Sequence, residues 1–211
     1  MKKGHVGWHS RGYLPHFDVG ERAQFVTFRL GDSLPQVVLE RWRRELAHCH
    51  ARETEVTLRR RIEAYLDQGY GSAWLRDARA AGMIEQSLLN FDSERYRLSA
   101  WVVMPNHVHL LATPSNNHTL SGIIHSLKSY TAQEANKLLG RKGQFWQEDY
   151  FDRYIRNAEH FARATAYIEN NPVKACLCET ARDWPFSSAR LRLAARDAGS
   201  ANSGSAGIPA R

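Results

Sequence analysis

The sequence predicts an α+β fold, and three observations carry that expectation. The run Gln24-Phe-Val-Thr-Phe-Arg-Leu30 is dense in β-branched and aromatic residues and ends at Gly31-Asp32-Ser33, a turn cluster, so it reads as a strand. Arg95 to Met104 and His107 to Thr113 are two further extended runs separated by the turn pair Pro105-Asn106, which makes a hairpin. Around these strands, apolar residues recur at helical spacing over long stretches.

The remaining elements follow from local signals. Ser33-Leu34-Pro35 opens a helix with a capping residue and an early proline. From Val37 to about Tyr70 the apolar positions Val38, Trp42 and Leu46 keep helical spacing among many Arg and Glu residues, and Gly69-Tyr-Gly71 breaks the run. Two helices are expected there and a third from about Ser72 to Leu89. Thr119 to Leu139 reads as a long amphipathic helix stopped by Gly140, as a glycine just past a helix end does. An extended piece at Gln144–Arg156, a helix from about Ala158 to Asn170 and a turn at Asn170-Asn171-Pro172 complete the order. One domain is expected over residues 1–193, with a helical insertion at about 34–89 and a helical extension at about 158–193. Residues 194–211 are almost entirely Ala, Gly, Ser, Asn and Arg, too little apolar surface to offset ordering entropy, and are expected to be disordered.

Composition narrows the function classes. Hydrophobic residues at 43% and charged residues at 24% describe an ordinary globular chain of 211 residues. No window nears the roughly 18 consecutive apolar residues of a membrane span, and no apolar stretch follows the basic N-terminus, so a cytoplasmic protein is expected. Cys49, Cys176 and Cys178 suit neither a disulfide framework nor a four-cysteine zinc site, which fits a reducing compartment. Lys and Arg exceed Asp and Glu by 29 to 22, and the resulting positive field favours polyanions such as nucleic acid.

The candidate chemistry starts at His107-Val-His109. On a strand, alternate side chains share a face, so both imidazoles project together while Val108, Leu110 and Ala112 point the other way into a core. That pairing suits one shared metal ion, and it equally fits two histidines on a half-exposed strand. In the helix at 119–139, Leu120, Ile123, Ile124, Leu127, Thr131 and Leu138 define a buried stripe, and Glu134 falls inside it. A carboxylate there needs a partner or a metal. Tyr130 lies four residues earlier at the edge of the stripe, where it reads either as a nucleophile or as an aromatic bordering the core. Two imidazoles and a carboxylate leave open positions for oxygen ligands, which suits Mg²⁺ or Mn²⁺ acting on a phosphate, and Zn²⁺ also accepts such a set. His48-Cys49-His50 is no metal cluster, because on a helix neighbouring side chains diverge by about 100° each.

The run Trp101-Val-Val-Met-Pro-Asn-His-Val-His-Leu-Leu111 resembles the signature of the REP-associated tyrosine transposases, IS200-like members of the HUH single-strand endonuclease superfamily. Arg11-Gly-Tyr-Leu-Pro-His-Phe17, Ser126-Leu-Lys-Ser-Tyr-Thr131, Phe145-Trp-Gln147, Tyr150-Phe-Asp-Arg-Tyr-Ile-Arg156, Tyr167-Ile-Glu-Asn-Asn-Pro172 and Trp184-Pro-Phe-Ser-Ser188 resemble that family in the same order. The resemblance implies a ferredoxin-like antiparallel sheet with helices packed on it. It implies a reaction in which a tyrosine attacks a scissile phosphate of single-stranded DNA, giving a 5′-phosphotyrosine and a free 3′-hydroxyl. Carried over by position, His107 and His109 are metal ligands and Tyr130 is the nucleophile. The third ligand, a polar side chain one helical turn after the tyrosine, lands on Glu134, although relatives often use an amide there.

The family's substrates, short palindromic single-stranded hairpins, imply DNA contacts. Arg11, Tyr13 and His16 are expected to read bases, since arginine pairs guanine edges and aromatics stack on unpaired bases. Lys128, Lys137, Arg141 and Lys142 flank the helix at 119–139 and are expected either to hold phosphates or to form a solvated face. A monomer is favoured over a dimer because the extra helices would occupy a dimer surface. The two other readings are a hairpin-binding module that keeps the fold without cutting, and a metal-dependent hydrolase that uses water.

Overall fold

The computed structural model describes residues 7–10, 15–18, 22–48, 50–115 and 117–191. The expected tail at 194–211 lies outside them. β1 (Gly7–Ser10) and β2 (Pro15–Asp18) pair antiparallel as a small separate ribbon. The main sheet holds β3 (Gln24–Arg29), β4 (Tyr96–Val103), β5 (His107–Pro114) and β6 (Phe151–Tyr154), in the order β4-β5-β3-β6 with every neighbouring pair antiparallel. Counted from β3, this is the strand order of a ferredoxin-like split βαβ sheet, so the fold is α+β as the sequence predicts. The extended piece at 144–156 becomes β6, an edge strand.

Alternation along the strands gives the sheet two different faces. Val26 and Phe28 of β3 and Val108, Leu110 and Ala112 of β5 turn to one side. There they pack under α3 (Ala78–Asn90) and α4 (Leu120–Leu138), through Ala81, Ile84, Leu88, Ile123, Ile124 and Leu127. Phe25, Ala100, Val102 and Leu111 turn to the other side and meet α5 (Ala158–Lys174) through Ala164 and Ile168. That second face also carries α2 (Ala51–Asp67), which closes a cavity of about 90 Å³ over Thr27, Arg29 and Phe151. α1 (Gln36–Leu46) precedes α2 and reaches it through the Trp42–Tyr65 ring contact, with centroids 5.7 Å apart.

Caps explain most helix starts. The side chains of Asp77, Thr119 and Asn157 accept from backbone N–H groups in the first turns of α3, α4 and α5. At α1 the expected capping serine does something else: Ser33 Oγ donates back to the Leu30 carbonyl at 2.8 Å, and Pro35 is the N-cap. The third expected helix starts at Ala78, after a short 3₁₀ turn at Trp74–Arg76. α5 departs most from expectation. Asn170-Asn171-Pro172 is not a turn but the penultimate stretch of the helix, with Asn171 and Pro172 both buried. A proline there removes one backbone donor near a helix end already held by packing, which a helix tolerates better than the same loss at its centre.

Gly71 has a φ of +89°, and a Cβ on it would lie 2.9 Å from the Asp32 carbonyl oxygen. Gly71→Ala therefore suffers both an unfavourable backbone region and a backbone clash where the insertion returns to the sheet. It is expected to lower unfolding free energy by about 1–3 kcal/mol, read as an earlier urea midpoint at unchanged slope.

Candidate active site

β5 places His107 and His109 on the sheet face covered by α5 and α2, at 0% and 1% exposure. Their rings converge rather than running parallel along the strand, with the two Nε2 atoms 3.0 Å apart. Each ring is held from behind. His107 Nδ1 lies 2.7 Å from Asn106 Oδ1, and Asn106 Nδ2 donates to the carbonyls of Leu66 and Tyr70 at 3.1 and 3.0 Å. Because those two bonds fix the amide, Oδ1 is left as the acceptor, so His107 carries its proton on Nδ1 and its Nε2 lone pair accepts from His109 Nε2–H at 3.0 Å. His109 Nδ1 lies 2.7 Å from Thr27 Oγ1 on the neighbouring strand.

Burial holds both imidazoles neutral. It pushes His107 down to about 3, helped by the charges of Lys174 and Arg29. His109 falls well below the ordinary histidine value, mainly through burial and then through its neighbours His107, Arg59 and Lys174. The unfolded chain binds protons at these two rings below about pH 6.5 and the folded chain does not, so stability present above that pH is lost as pH falls. Chelator-treated protein is expected to show a thermal midpoint that drops progressively from about pH 6.5 towards pH 3, and His107→Gln with His109→Gln to flatten that window.

α5 brings a second set of groups to the same face. The Tyr167 ring sits 5.5 Å from the His109 ring and 5.8 Å from that of Phe25. Its hydroxyl is buried without a hydrogen-bond partner. Burial, and next the carboxylates of Glu63 and Asp67, raise its pKa, so the phenol is protonated in the free protein. Asn171 follows one turn later on the same stripe, 0% exposed, and both its amide nitrogen and its amide oxygen lack partners. Lys174 closes the stripe, with Nζ 5.6 Å from the centre of the Tyr167 ring.

These residues fit a divalent ion. The two Nε2 atoms, 3.0 Å apart, are close enough that one ion could be shared between both imidazoles. The buried, unpartnered amide of Asn171 supplies an oxygen donor of the kind such ions accept, and backing of each imidazole by an oxygen is the usual support of a metal-binding histidine.

The expected carboxylate and tyrosine are elsewhere. α4 packs on the opposite face, so neither Tyr130 nor Glu134 is brought to the histidines. Tyr130 is 55% exposed and lines a cavity of about 440 Å³ with Met83, Phe91, Arg95 and Ser126. Glu134 is half-buried, not set in the apolar stripe, and no group of three His, Cys, Asp or Glu side chains able to hold a metal occurs among the described residues. The expected phosphate-holding cations lie on that side as well. Lys128 Nζ donates to the Glu148 carbonyl at 2.6 Å, and burial lowers its pKa to about 8. Arg141 lies over the rings of Trp74 and Phe145, while Lys137 and Lys142 are exposed. Arg11 and Tyr13 fall outside the described residues, and His16 is placed only by its backbone, in β2 opposite His9.

Tyr167 and Asn171 are the residues that sequence reasoning missed. Their i, i+4 spacing stands in the block Tyr167-Ile-Glu-Asn-Asn-Pro172, but reading Asn171 as part of a turn removed it from the helix.

Part of the chain is similar to known proteins. Residues 78–171 match the family model described as Transposase IS200 like. A REP-associated tyrosine transposase of Escherichia coli (strain K12) is 29% identical over 107 residues, half of this chain and 62% of that protein. A relative from Haemophilus influenzae is 32% identical over 96 residues, 41% of this chain and 54% of that one. The chain thus spans between half and two thirds of the length of these relatives. The solved structure of a REP-associated tyrosine transposase bound to a REP hairpin shares the fold, with a TM-score of 0.52 at 20% identity over 87% of this chain and 86% of that one. The matched segment contains both histidines, Tyr167 and Asn171, so the part of the chain that carries the site is similar to the IS200-like transposases and to the REP-associated tyrosine transposases.

Proposed function

We propose that the protein nicks and rejoins single-stranded hairpin DNA through Tyr167, with Mg²⁺ or Mn²⁺ held by His107, His109 and Asn171. The observation that carries this reading is the shared face: Tyr167 lies against His109, and the unpartnered Asn171 amide follows one turn on. The tyrosine oxygen attacks the scissile phosphorus, the 3′ oxygen leaves and takes up a proton, and the phosphate stays on the protein as a 5′-phosphotyrosine. Its phosphoester is preserved, so a 3′-hydroxyl can reverse the step and rejoin strands without ATP. A bound divalent ion supplies charge stabilisation at a non-bridging phosphate oxygen. Asn106 and Thr27 keep the imidazole lone pairs aimed, and the apolar surround of Phe25 and Ile168 limits competing water.

In this reading, the histidines and the tyrosine of one chain act together, and the protein works as a monomer. No helix among the described residues is long and apolar enough to cross a membrane. The near-complete burial of both histidines favours, as the second reading, a hairpin-binding module that does not cut.

The deciding experiment incubates the protein with Mn²⁺ and labelled hairpin oligonucleotides drawn from the palindromic DNA flanking its own gene. A protein-linked band on denaturing gels, digested and mapped by mass spectrometry, is expected to carry its nucleotide on the peptide containing Tyr167. Attachment at Tyr130 would overturn the assignment. Hairpin binding without any linked band under either ion would favour the binding module.

A further inference from the structure

Two cations flank the Tyr167–His109 pair, and both are tied to carboxylates of α2. Lys174 Nζ bonds Asp67 Oδ2 at 2.6 Å, with the lysine side chain 54% exposed. Arg59 uses only Nε, at 2.8 Å, to bond Glu63, and its terminal nitrogens make no hydrogen bond to a described residue. Its guanidinium lies over the Phe151 ring, 4.1 Å from the centre, and 5.4 Å from that of Phe25, which itself sits 5.4 Å from His109 and 5.8 Å from Tyr167. Asp67 Oδ1 is buried without a partner, so this carboxylate is only half satisfied where it stands. A carboxylate bonded to a cation beside a phosphate-transfer site carries the same single negative charge as a DNA backbone phosphate and bonds the same cationic donors.

We propose that Lys174 and Arg59 form a two-cation phosphate clamp over Tyr167, occupied in the free protein by Asp67 and Glu63 and taken over by a backbone phosphate when DNA binds. The proposal rests on Tyr167 being the attacking residue. One phosphate takes the place of Asp67 on Lys174 and of Glu63 on Arg59, so both cations keep an anionic partner while the two carboxylates are released. Arg59 offers a planar pair of free donors suited to two phosphate oxygens, and Lys174 a mobile point charge. Breaking the Lys174–Asp67 bond also frees α2 from α5, and α2 is one of the two helices covering the histidines. Entry of the phosphate and opening of the cover are then one event.

The test uses the full chain carrying Tyr167→Phe, so that binding is read without cleavage, and the same flanking-DNA hairpin. Lys174→Gln is expected to weaken binding several-fold and to reduce the slope of log affinity against log salt by about 0.7, the value of one phosphate contact on a single strand. Lys174→Arg is expected to restore both. Asp67→Asn removes the competing anion and is expected to tighten binding several-fold. A lysine and aspartate that only fastened α2 would give variants that move affinity in the same direction, with the salt slope unchanged; either result overturns the clamp. Thermal midpoints of all variants separate loss of fold from loss of contact, and Lys174→Arg keeps the test decisive if Lys174→Gln unfolds. If the wild-type adduct maps to Tyr167 while these binding signs fail, the clamp falls alone. If the signs hold but no adduct forms, the nucleophile assignment falls and the phosphate site stands.

Discussion

Tyr167→Phe is expected to remove the protein-linked DNA band, lowering the rate of adduct formation by at least about a thousandfold, because phenylalanine keeps the ring and removes the attacking oxygen. Ring contacts with His109 and Phe25 survive the change, and the hydroxyl that is lost has no hydrogen-bond partner. Thermal stability is therefore expected to hold or rise slightly, since an unpaired buried polar atom is removed. Tyr130→Phe is expected to leave adduct formation within about twofold, as for most substitutions at exposed positions remote from a site. The pair of variants thus reads the position of the nucleophile directly. Cleavage surviving Tyr167→Phe would indicate water as the attacking group, and loss with Tyr130→Phe would require the face on which α4 packs to take part.

The second large effect concerns the histidine pair. His109→Gln removes one of two converging Nε2 atoms and is expected to abolish measurable Mn²⁺ binding by calorimetry, with adduct formation falling about a thousandfold. Thr27→Val leaves both imidazoles in place but frees His109 to rotate, since Thr27 Oγ1 is the group behind Nδ1. Loss of such support typically costs about 10- to 100-fold in metal affinity or activity, so a graded series is expected: wild type, then Thr27→Val, then His109→Gln. Equal activity of Thr27→Val and wild type would show that the ring is held by packing against Phe25 and Tyr167 alone. Unchanged Mn²⁺ binding in His109→Gln would remove the metal site from this face.

Much of the fold is legible from local pattern. β5 announces itself because its odd and even residues differ in kind, and the sides they take in the structure are the ones the alternation implies. Thr119 and Gly140 bound α4 as capping chemistry dictates. Other elements were less visible for identifiable reasons. β6 is a four-residue edge strand whose partner, β3, lies more than a hundred residues earlier, so nothing local marks it as paired. α5 runs past Asn170 because packing of Ile168, Asn171 and Pro172 outweighs the helix-breaking tendency of the proline. Of the stripe expected on α4, Leu120, Ile123, Ile124, Leu127 and Thr131 are buried, Leu138 is half-buried against the core, and Glu134 is half-buried.

The sequence by itself determined the histidine pair, the shared face of those two residues on a strand, the α+β class and the family resemblance. These depend on spacing within one element or on an uninterrupted motif. It did not determine which tyrosine meets the histidines, because α4 and α5 each carry a tyrosine with a polar residue four positions later, Tyr130 with Glu134 and Tyr167 with Asn171. Either helix, taken alone, satisfies the same periodicity. The choice was made by the sheet: β5 sends its histidines to one side and Val108 and Leu110 to the other, and the apolar stripe of α4 buries against the latter while α5 takes the former. Helix periodicity reports that a stripe is buried but not against which face, and only tertiary packing supplies that side.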